Sequence, residues 1–159
     1  KALEINSEQY LAWRGLASHQ VTIGGNLRLP KERQTKVLAL KYTKGMVKAR
    51  PKAAFSYQLR ANVERQYSDF KAATPIYQQM VDVAEETGSS LKGGAHNVFA
   101  HNYLFSGDAE TAREHYDKAI TLAKRPIATV NLTIYKLLSY LFQSDYEGAW
   151  CIAQERDKN

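Results

Sequence analysis

Histidines are the side chains in this sequence with the clearest potential for metal chemistry. His96 and His101 are five residues apart, which places them about 140° apart around a helix, so they do not converge on one metal ion. His19 and His115 lie far from both in the sequence. The histidine spacing therefore predicts no metal site.

The residues that could act as nucleophile or acid–base pair are weakly placed for chemistry. Cys151 stands between Trp150 and Ile152 in a helical pattern, which favours a core position over a nucleophile. Glu85 and Glu86 lie near a predicted helix end, which favours a surface pair over an acid–base couple. No HExxH, phosphate-binding loop or GxGxxG motif is present. The sequence predicts neither an enzyme nor a bound cofactor.

A motif that occurs three times indicates how the chain is organised. A small residue precedes an Asp, and an Ala follows the Asp four positions later. The pairs are Asp69 with Ala73, Asp108 with Ala112, and Asp145 with Ala149. The Asp carboxylate is suited to capping a helix N-terminus, and the Ala lets another helix approach closely. Spacings of 39 and 37 residues predict stacked helical hairpins.

The segment from Gly93 to Pro126 resembles a tetratricopeptide (TPR) repeat. The residues that carry the resemblance are Phe99-Ala100, Tyr103, Gly107-Asp108, Ala112, Tyr116, Ala119 and Pro126, with His96 where the family has Trp. This resemblance implies an all-α fold, a right-handed α-solenoid of about four antiparallel helix hairpins. Repeats of this family bind protein segments and are non-catalytic.

The coarse helix prediction agrees with four hairpins, because Gly, Pro and Ser residues fall between the patterned segments. The predicted helices are Glu8 to Val21, Glu32 to Arg50, Ala53 to Ser68, Lys71 to Thr87, Gly94 to Ser106, Ala109 to Lys124, Ala128 to Gln143, and Tyr146 to Arg156. We expect residues 1–159 to form one TPR-like domain. The sequence begins with what resembles half a repeat, which predicts a fragment of a longer protein.

Composition is that of an ordinary globular chain. Of 159 residues, 44% are hydrophobic and 24% charged, and no apolar run is long enough to span a membrane. Cys151 is the single cysteine, so no intramolecular disulfide can form. These features predict a cytoplasmic protein without membrane partners.

Positive charge is concentrated between Arg28 and Lys52, where nine basic residues face one acidic residue. A helical wheel groups five of them on a predicted basic face: Arg33, Lys36, Lys41, Lys44 and Lys48. Leu38, Tyr42, Met46 and Ala49 fall on the opposite side. The basic face is either the solvated side of a packed helix or a docking surface for an acidic partner or phosphates.

The TPR resemblance also implies which residues line a partner-binding groove. By the register of the repeat these are Gln58, Asn62, Arg65, Gln66, Asn97, His101, Leu104, Phe105 and Asn131, followed by Ile134 and Leu138. Amide side chains recur there, and amides can hydrogen-bond a peptide backbone. The alternative is that these residues are solvated or pack between helices. If they form a groove, replacing Asn62 and Asn97 should weaken partner binding with little effect on stability.

The predicted function is a non-catalytic protein–protein interaction module. The order of its hairpins is similar to helical regions attached to bacterial winged-helix transcription regulators, which implies a sensory, regulatory or self-association domain of such a regulator. The alternatives are a stand-alone peptide-binding adaptor and a helical domain that contacts nucleic acid through residues 28–52. The expected partner is a protein or peptide segment.

Overall fold

The computed structural model describes residues 10–24 and 36–157, and all regular secondary structure within them is helical. The helices are α1 (Tyr10–Gly24), α2 (Lys36–Ala49), α3 (Ala54–Tyr67), α4 (Phe70–Glu86), α5 (Lys92–Ser106), α6 (Ala109–Thr121), α7 (Pro126–Phe142) and α8 (Tyr146–Asp157). Predicted and observed boundaries agree within three residues wherever both are described. The predicted starts at Glu8 and Glu32 lie outside the described residues.

Consecutive helices pack in pairs, as the hairpin prediction requires. Helices α1 and α2, α3 and α4, α5 and α6, and α7 and α8 contact each other, and α2 with α3 and α6 with α7 link neighbouring pairs. The contacts divide the chain into an N-terminal unit, Lys1–Ser89, and a C-terminal unit, Ser90–Asn159. The organisation of residues 1–159 as a single domain stays a prediction.

The three Asp residues of the repeated motif all cap the second helix of a hairpin. Each carboxylate accepts a hydrogen bond from the backbone N–H three residues later, at 2.7 Å for Asp69, 3.1 Å for Asp108 and 2.8 Å for Asp145. An N-terminal N–H that has no partner within the helix is thereby satisfied. The capping role inferred from the sequence is confirmed at all three positions.

Two of the three hairpin turns use a left-handed residue just before the capping Asp. Gly107 has a φ of 93° and Ser144 a φ of 59°. The next backbone N–H then reaches back to a carbonyl of the preceding helix, at 3.0 Å in both turns. Glycine adopts this conformation without steric cost, whereas in Ser144 the Cβ atom makes the conformation sterically unfavourable.

Alanine fills the contact between paired helices, as the sequence predicts. Ala73 and Ala112 are fully buried and Ala149 is 6% exposed. In the C-terminal unit, Ala112 belongs to a core cluster whose other members are Ala100, Leu104, Ala109, Tyr116, Ala119 and Leu132. Small side chains predominate in this cluster, so α6 approaches both α5 and α7 closely.

The N-terminal unit uses a bulkier core in which a glycine makes room for a tryptophan. Trp13 and Met46 are buried together with Tyr10, Ala17 and Leu59. A Cβ atom added at Gly45 would lie 2.6 Å from the indole ring of Trp13. Helices α1 and α2 therefore contact closely at this point because Gly45 has no side chain.

We expect Ala112→Trp to lower the free energy of unfolding by about 1 to 3 kcal/mol, because a large ring cannot fit the small-residue contact. Glu114→Trp on the exposed side of the same helix is the matched control and should change stability by less than about 0.5 kcal/mol. Urea unfolding followed by circular dichroism measures both. Equal stabilities of the two variants would contradict the observed helix register.

Candidate functional site

The basic face predicted on α2 is smaller in the structure than in the sequence. Lys41, Lys44 and Lys48 are exposed. The Lys36 ammonium instead lies 3.7 Å from the Glu64 carboxylate and donates to the Ser68 hydroxyl. Lys36 therefore ties α2 to the end of α3, and Arg33 lies outside the described residues.

The buried side of α2 is rotated relative to the prediction. Ala39, Thr43 and Met46 are fully buried, and the Thr43 hydroxyl donates to the Ala39 carbonyl oxygen at 2.9 Å. Leu38, expected on the apolar side, is 38% exposed. The prediction for Leu38 is wrong because a threonine whose hydroxyl is bonded within the helix can take a core position.

One predicted groove residue of the N-terminal unit takes part in helix packing. The Tyr77 hydroxyl on α4 donates to Asn62 Oδ1 on α3 at 2.6 Å. Tyr77 is fully buried, and burial raises the pKa of its hydroxyl while the charge of Arg65 lowers it in part. The expectation that replacing Asn62 leaves stability unchanged needs correction, since Asn62 supplies the acceptor for this hydroxyl. Gln58 and Gln66 are half-buried on the same helix.

The C-terminal unit contains a cavity of about 570 Å³ between α5, the end of α6 and the first half of α7. We call it the α5–α7 cavity. Asn97 and Asn131, two of the predicted groove residues, both line it. Lys124 and Arg125 from the α6–α7 connection and Gly94 of α5 also line it. The structure therefore brings together two amides that the sequence places 34 residues apart.

Aromatic rings of α5 and α7 lie next to one another beside this cavity. The His101 ring lies 4.4 Å from the ring of Tyr135, at 78° to it, and 6.3 Å from the nearly parallel ring of Phe105. Tyr135, which also lines the α5–α7 cavity, is 38% exposed, and Phe105 is 54% exposed. His101 and Phe105 thus share a surface with Tyr135. Leu104 is buried in the C-terminal core and is a packing residue, which corrects its assignment to the groove.

Below these rings lies Tyr116, whose hydroxyl is shielded from solvent and has no hydrogen-bond partner among the described residues. Burial, and to a lesser degree the neighbouring Tyr135, raise the pKa of Tyr116. The Tyr116 ring contacts the rings of His101 and Tyr135 and so packs beneath the aromatic surface.

Sequence reasoning missed a buried histidine pair. His96 Nδ1 on α5 and His115 Nδ1 on α6 are 2.9 Å apart, and both residues are buried. A hydrogen bond at this distance requires one ring to carry the proton on Nδ1 and the other to accept it. His96 lies 11 positions before Gly107 and His115 lies 8 positions after it, so an antiparallel pairing of α5 and α6 across that turn is the signal that brings them near each other. Within residues 10–24 and 36–157 no three His, Cys, Asp or Glu side chains group as metal ligands.

Cys151 lies on the surface of α8. Its neighbour Trp150 is 65% exposed. The predicted core position of Cys151 is therefore wrong. Its helix carries apolar residues around much of its circumference, so the pattern alone did not select the buried side.

The fold defines a TPR-like helical-repeat protein, and the predicted all-α, TPR-like class is confirmed. A crystal structure of the MamA protein is similar with a TM-score of 0.70 and 16% identity, covering 96% of this chain and 73% of that one. A second MamA crystal structure is similar with a TM-score of 0.66 and 14% identity, covering 99% of this chain and 86% of that one. No protein-family profile and no curated protein sequence matches the chain. At this identity the likeness concerns the fold.

We expect Asn62→Ala to lower the free energy of unfolding by about 1 to 3 kcal/mol, because it removes the amide oxygen that accepts a hydrogen bond from the buried Tyr77 hydroxyl. Adding Tyr77→Phe removes that hydroxyl and should restore part of the loss. Gln58→Ala, half-buried on the same helix, is the control and should cost less than Asn62→Ala. Urea unfolding of the wild type, Asn62→Ala, Tyr77→Phe, the double variant and Gln58→Ala measures the effects. If Tyr77→Phe adds its own full cost to that of Asn62→Ala, the two side chains are not coupled.

Proposed function

We propose that this chain is a non-catalytic protein–protein interaction module whose C-terminal unit binds a segment of a partner protein in the α5–α7 cavity. The observation that carries the proposal is the meeting of Asn97 and Asn131 in one cavity on successive hairpins. Amide side chains donate and accept hydrogen bonds, so they can pair with the N–H and C=O groups of a bound backbone. The TPR-like fold supports protein partners.

The surface beside the cavity favours a protein segment over a small polar molecule. Phe105, Ile134 and Tyr135 expose 54%, 40% and 38% of their surfaces. Exposed aromatic and aliphatic side chains next to hydrogen-bonding amides are typical of sites that take both the backbone and the side chains of a peptide. The groove roles of Gln58, Arg65 and Gln66 in the N-terminal unit stay predictions.

Gly94 allows the cavity to be blocked without disturbing the core. Space around a Cβ atom added at Gly94 is open to at least 4 Å, and the residue lines the α5–α7 cavity. A leucine there would occupy the binding space and would also suit the helix better than glycine does. Gly15 on α1 has equally open surroundings and lies outside this cavity, so Gly15→Leu is a matched control.

We expect peptides selected from a random phage-displayed library on the wild-type protein to bind Gly15→Leu unchanged. Binding to Gly94→Leu should weaken by roughly tenfold or more, equivalent to about 1.4 kcal/mol. Fluorescence titration of the selected peptides and thermal melts of all three proteins supply the measurements. Full binding by a folded Gly94→Leu protein would place the peptide site elsewhere.

A nucleic-acid contact through α2 is the second candidate function, and the exposure of Lys41, Lys44 and Lys48 is the observation that favours it. Reversing all three to Glu should leave the fold intact, because Ala39 and Met46 on the other side of α2 carry the packing. We expect the wild-type protein to bind neither duplex nor single-stranded DNA at low salt. Binding that falls steeply with salt and disappears in the triple variant would instead support this second function.

The wider setting stays a prediction. A winged-helix segment encoded beside this chain would support the regulator, and an uninterrupted run of repeats would support the adaptor. No helix within the described residues has the length and apolar character needed to cross a membrane. The cytoplasmic location and self-association are proposals to be tested on the full protein.

A further inference from the structure

The α5–α7 cavity and helix α7 beside it form an elongated surface whose chemistry changes along its length, and this change bears on the kind of segment that it binds. At one end, Lys124 and Arg125 line the cavity, and no Asp or Glu side chain is among the lining residues. Helix α7 starts at Pro126, so the positive end of its dipole adds to the two cations. This end is complementary to a carboxylate.

Asn97 adds a specific hydrogen-bonding requirement at the same end. Its Oδ1 atom is shielded from solvent and has no hydrogen-bond partner among the described residues. A shielded amide oxygen without a donor is costly, and rotation of the Asn97 amide towards the cavity, where a ligand N–H can reach the oxygen, would relieve that cost. The cavity therefore suits a ligand that offers both an N–H and a nearby negative charge, as a peptide with an acidic side chain does.

An apolar stripe leads away from this end along α7. Ile127, Ile134 and Leu141 recur at intervals of seven residues, so they lie along one stripe of α7, and they are 63%, 40% and 40% exposed. Phe142, at the end of the helix, is 65% exposed. Lys136, the one charged residue of α7, pairs with Asp117 of α6 at 2.6 Å. The exposed stripe thus carries no charge over roughly 20 Å of helix.

We propose that the α5–α7 cavity and the adjoining stripe of α7 bind an acidic–apolar protein segment in one direction. Lys124 and Arg125 hold an Asp or Glu carboxylate, Asn97 accepts a backbone N–H, and apolar side chains of the segment lie along α7 towards Phe142. This inference rests on the proposed function, since it gives the chemistry of the partner for that same site. Lys124 and Arg125 can both donate charge-assisted hydrogen bonds to this carboxylate, and such bonds are stronger than hydrogen bonds between neutral groups.

The test uses fluorescent peptides that are acetylated and amidated, so that only side chains carry charge. The probes are Glu-Glu-Ala-Leu-Ala-Phe, its neutral twin Gln-Gln-Ala-Leu-Ala-Phe, and the reversed Phe-Ala-Leu-Ala-Glu-Glu. The proteins are the wild type, Lys124→Gln with Arg125→Gln, and Gly94→Leu. A variant with Lys41→Gln and Lys48→Gln loses the same two charges from exposed sites on α2 and is the control.

We expect the acidic peptide to bind the wild type and the α2 control equally, and at least about tenfold more tightly than its neutral twin or the reversed peptide. The Lys124→Gln, Arg125→Gln protein should bind the acidic peptide and the neutral twin alike. Gly94→Leu should lose both. Inorganic phosphate should compete only weakly, because it has no apolar side chains to lie along the stripe of α7.

Separate outcomes contradict the inference and the proposed function. Equal binding of acidic and neutral peptides to the wild type, with loss of both in Gly94→Leu, would overturn the acidic specificity and leave the peptide site in place. Undiminished binding to a folded Gly94→Leu protein would overturn the site itself. Displacement of the peptide by phosphate or single-stranded DNA at equal concentration would assign the cations to a phosphate ligand, and absence of binding by every probe would reject the acidic–apolar segment.

Discussion

The close contact between paired helices is the constraint on which the rest of this structure depends. Ala73, Ala112 and Ala149 lie buried at that contact, one in each of the last three hairpins. A side chain of one carbon lets helix backbones approach at the near end of the usual range, so the helices pack along their lengths. Capping by Asp four residues earlier sets where each second helix begins, and therefore which face presents its Ala. The Asp cap and the Ala contact therefore act together in each hairpin.

The same preference for small residues creates the candidate site. Gly94 and Ala128 stand where α5 and α7 flank the α5–α7 cavity, and Ala119 contributes from α6. Because these side chains are small, the helices leave space between them that their own residues do not fill. Tyr116, fully buried beneath the aromatic surface, supports α5 and α7 from below. The site is thus an open groove between α5 and α7, beside the small-residue core through which α6 contacts both helices.

Much of the site could be predicted because it repeats with the fold. Asn97 and Asn131 are separated by 34 residues, one TPR repeat, so the register of the motif places them at equivalent positions on successive hairpins. Lys124 and Arg125 were not predicted as site residues because they belong to the connection between two helices. A connection has no periodicity from which to infer where its side chains point. Asn62 was placed on the expected helix, yet its bond to Tyr77 depends on the neighbouring helix and is invisible in a helical wheel.

The sequence by itself determined the helices, their capping Asp residues and their pairing, because these follow from local spacing and from contacts between neighbours in the chain. Tertiary structure alone decided which side of a helix is covered. Leu38 and Cys151 are exposed although their neighbours in the sequence are apolar, while His96 and His115 are buried against each other. A helix of mixed composition offers several faces of similar hydrophobicity, and the choice between them is made by the shape of the neighbouring helices, which no local pattern contains.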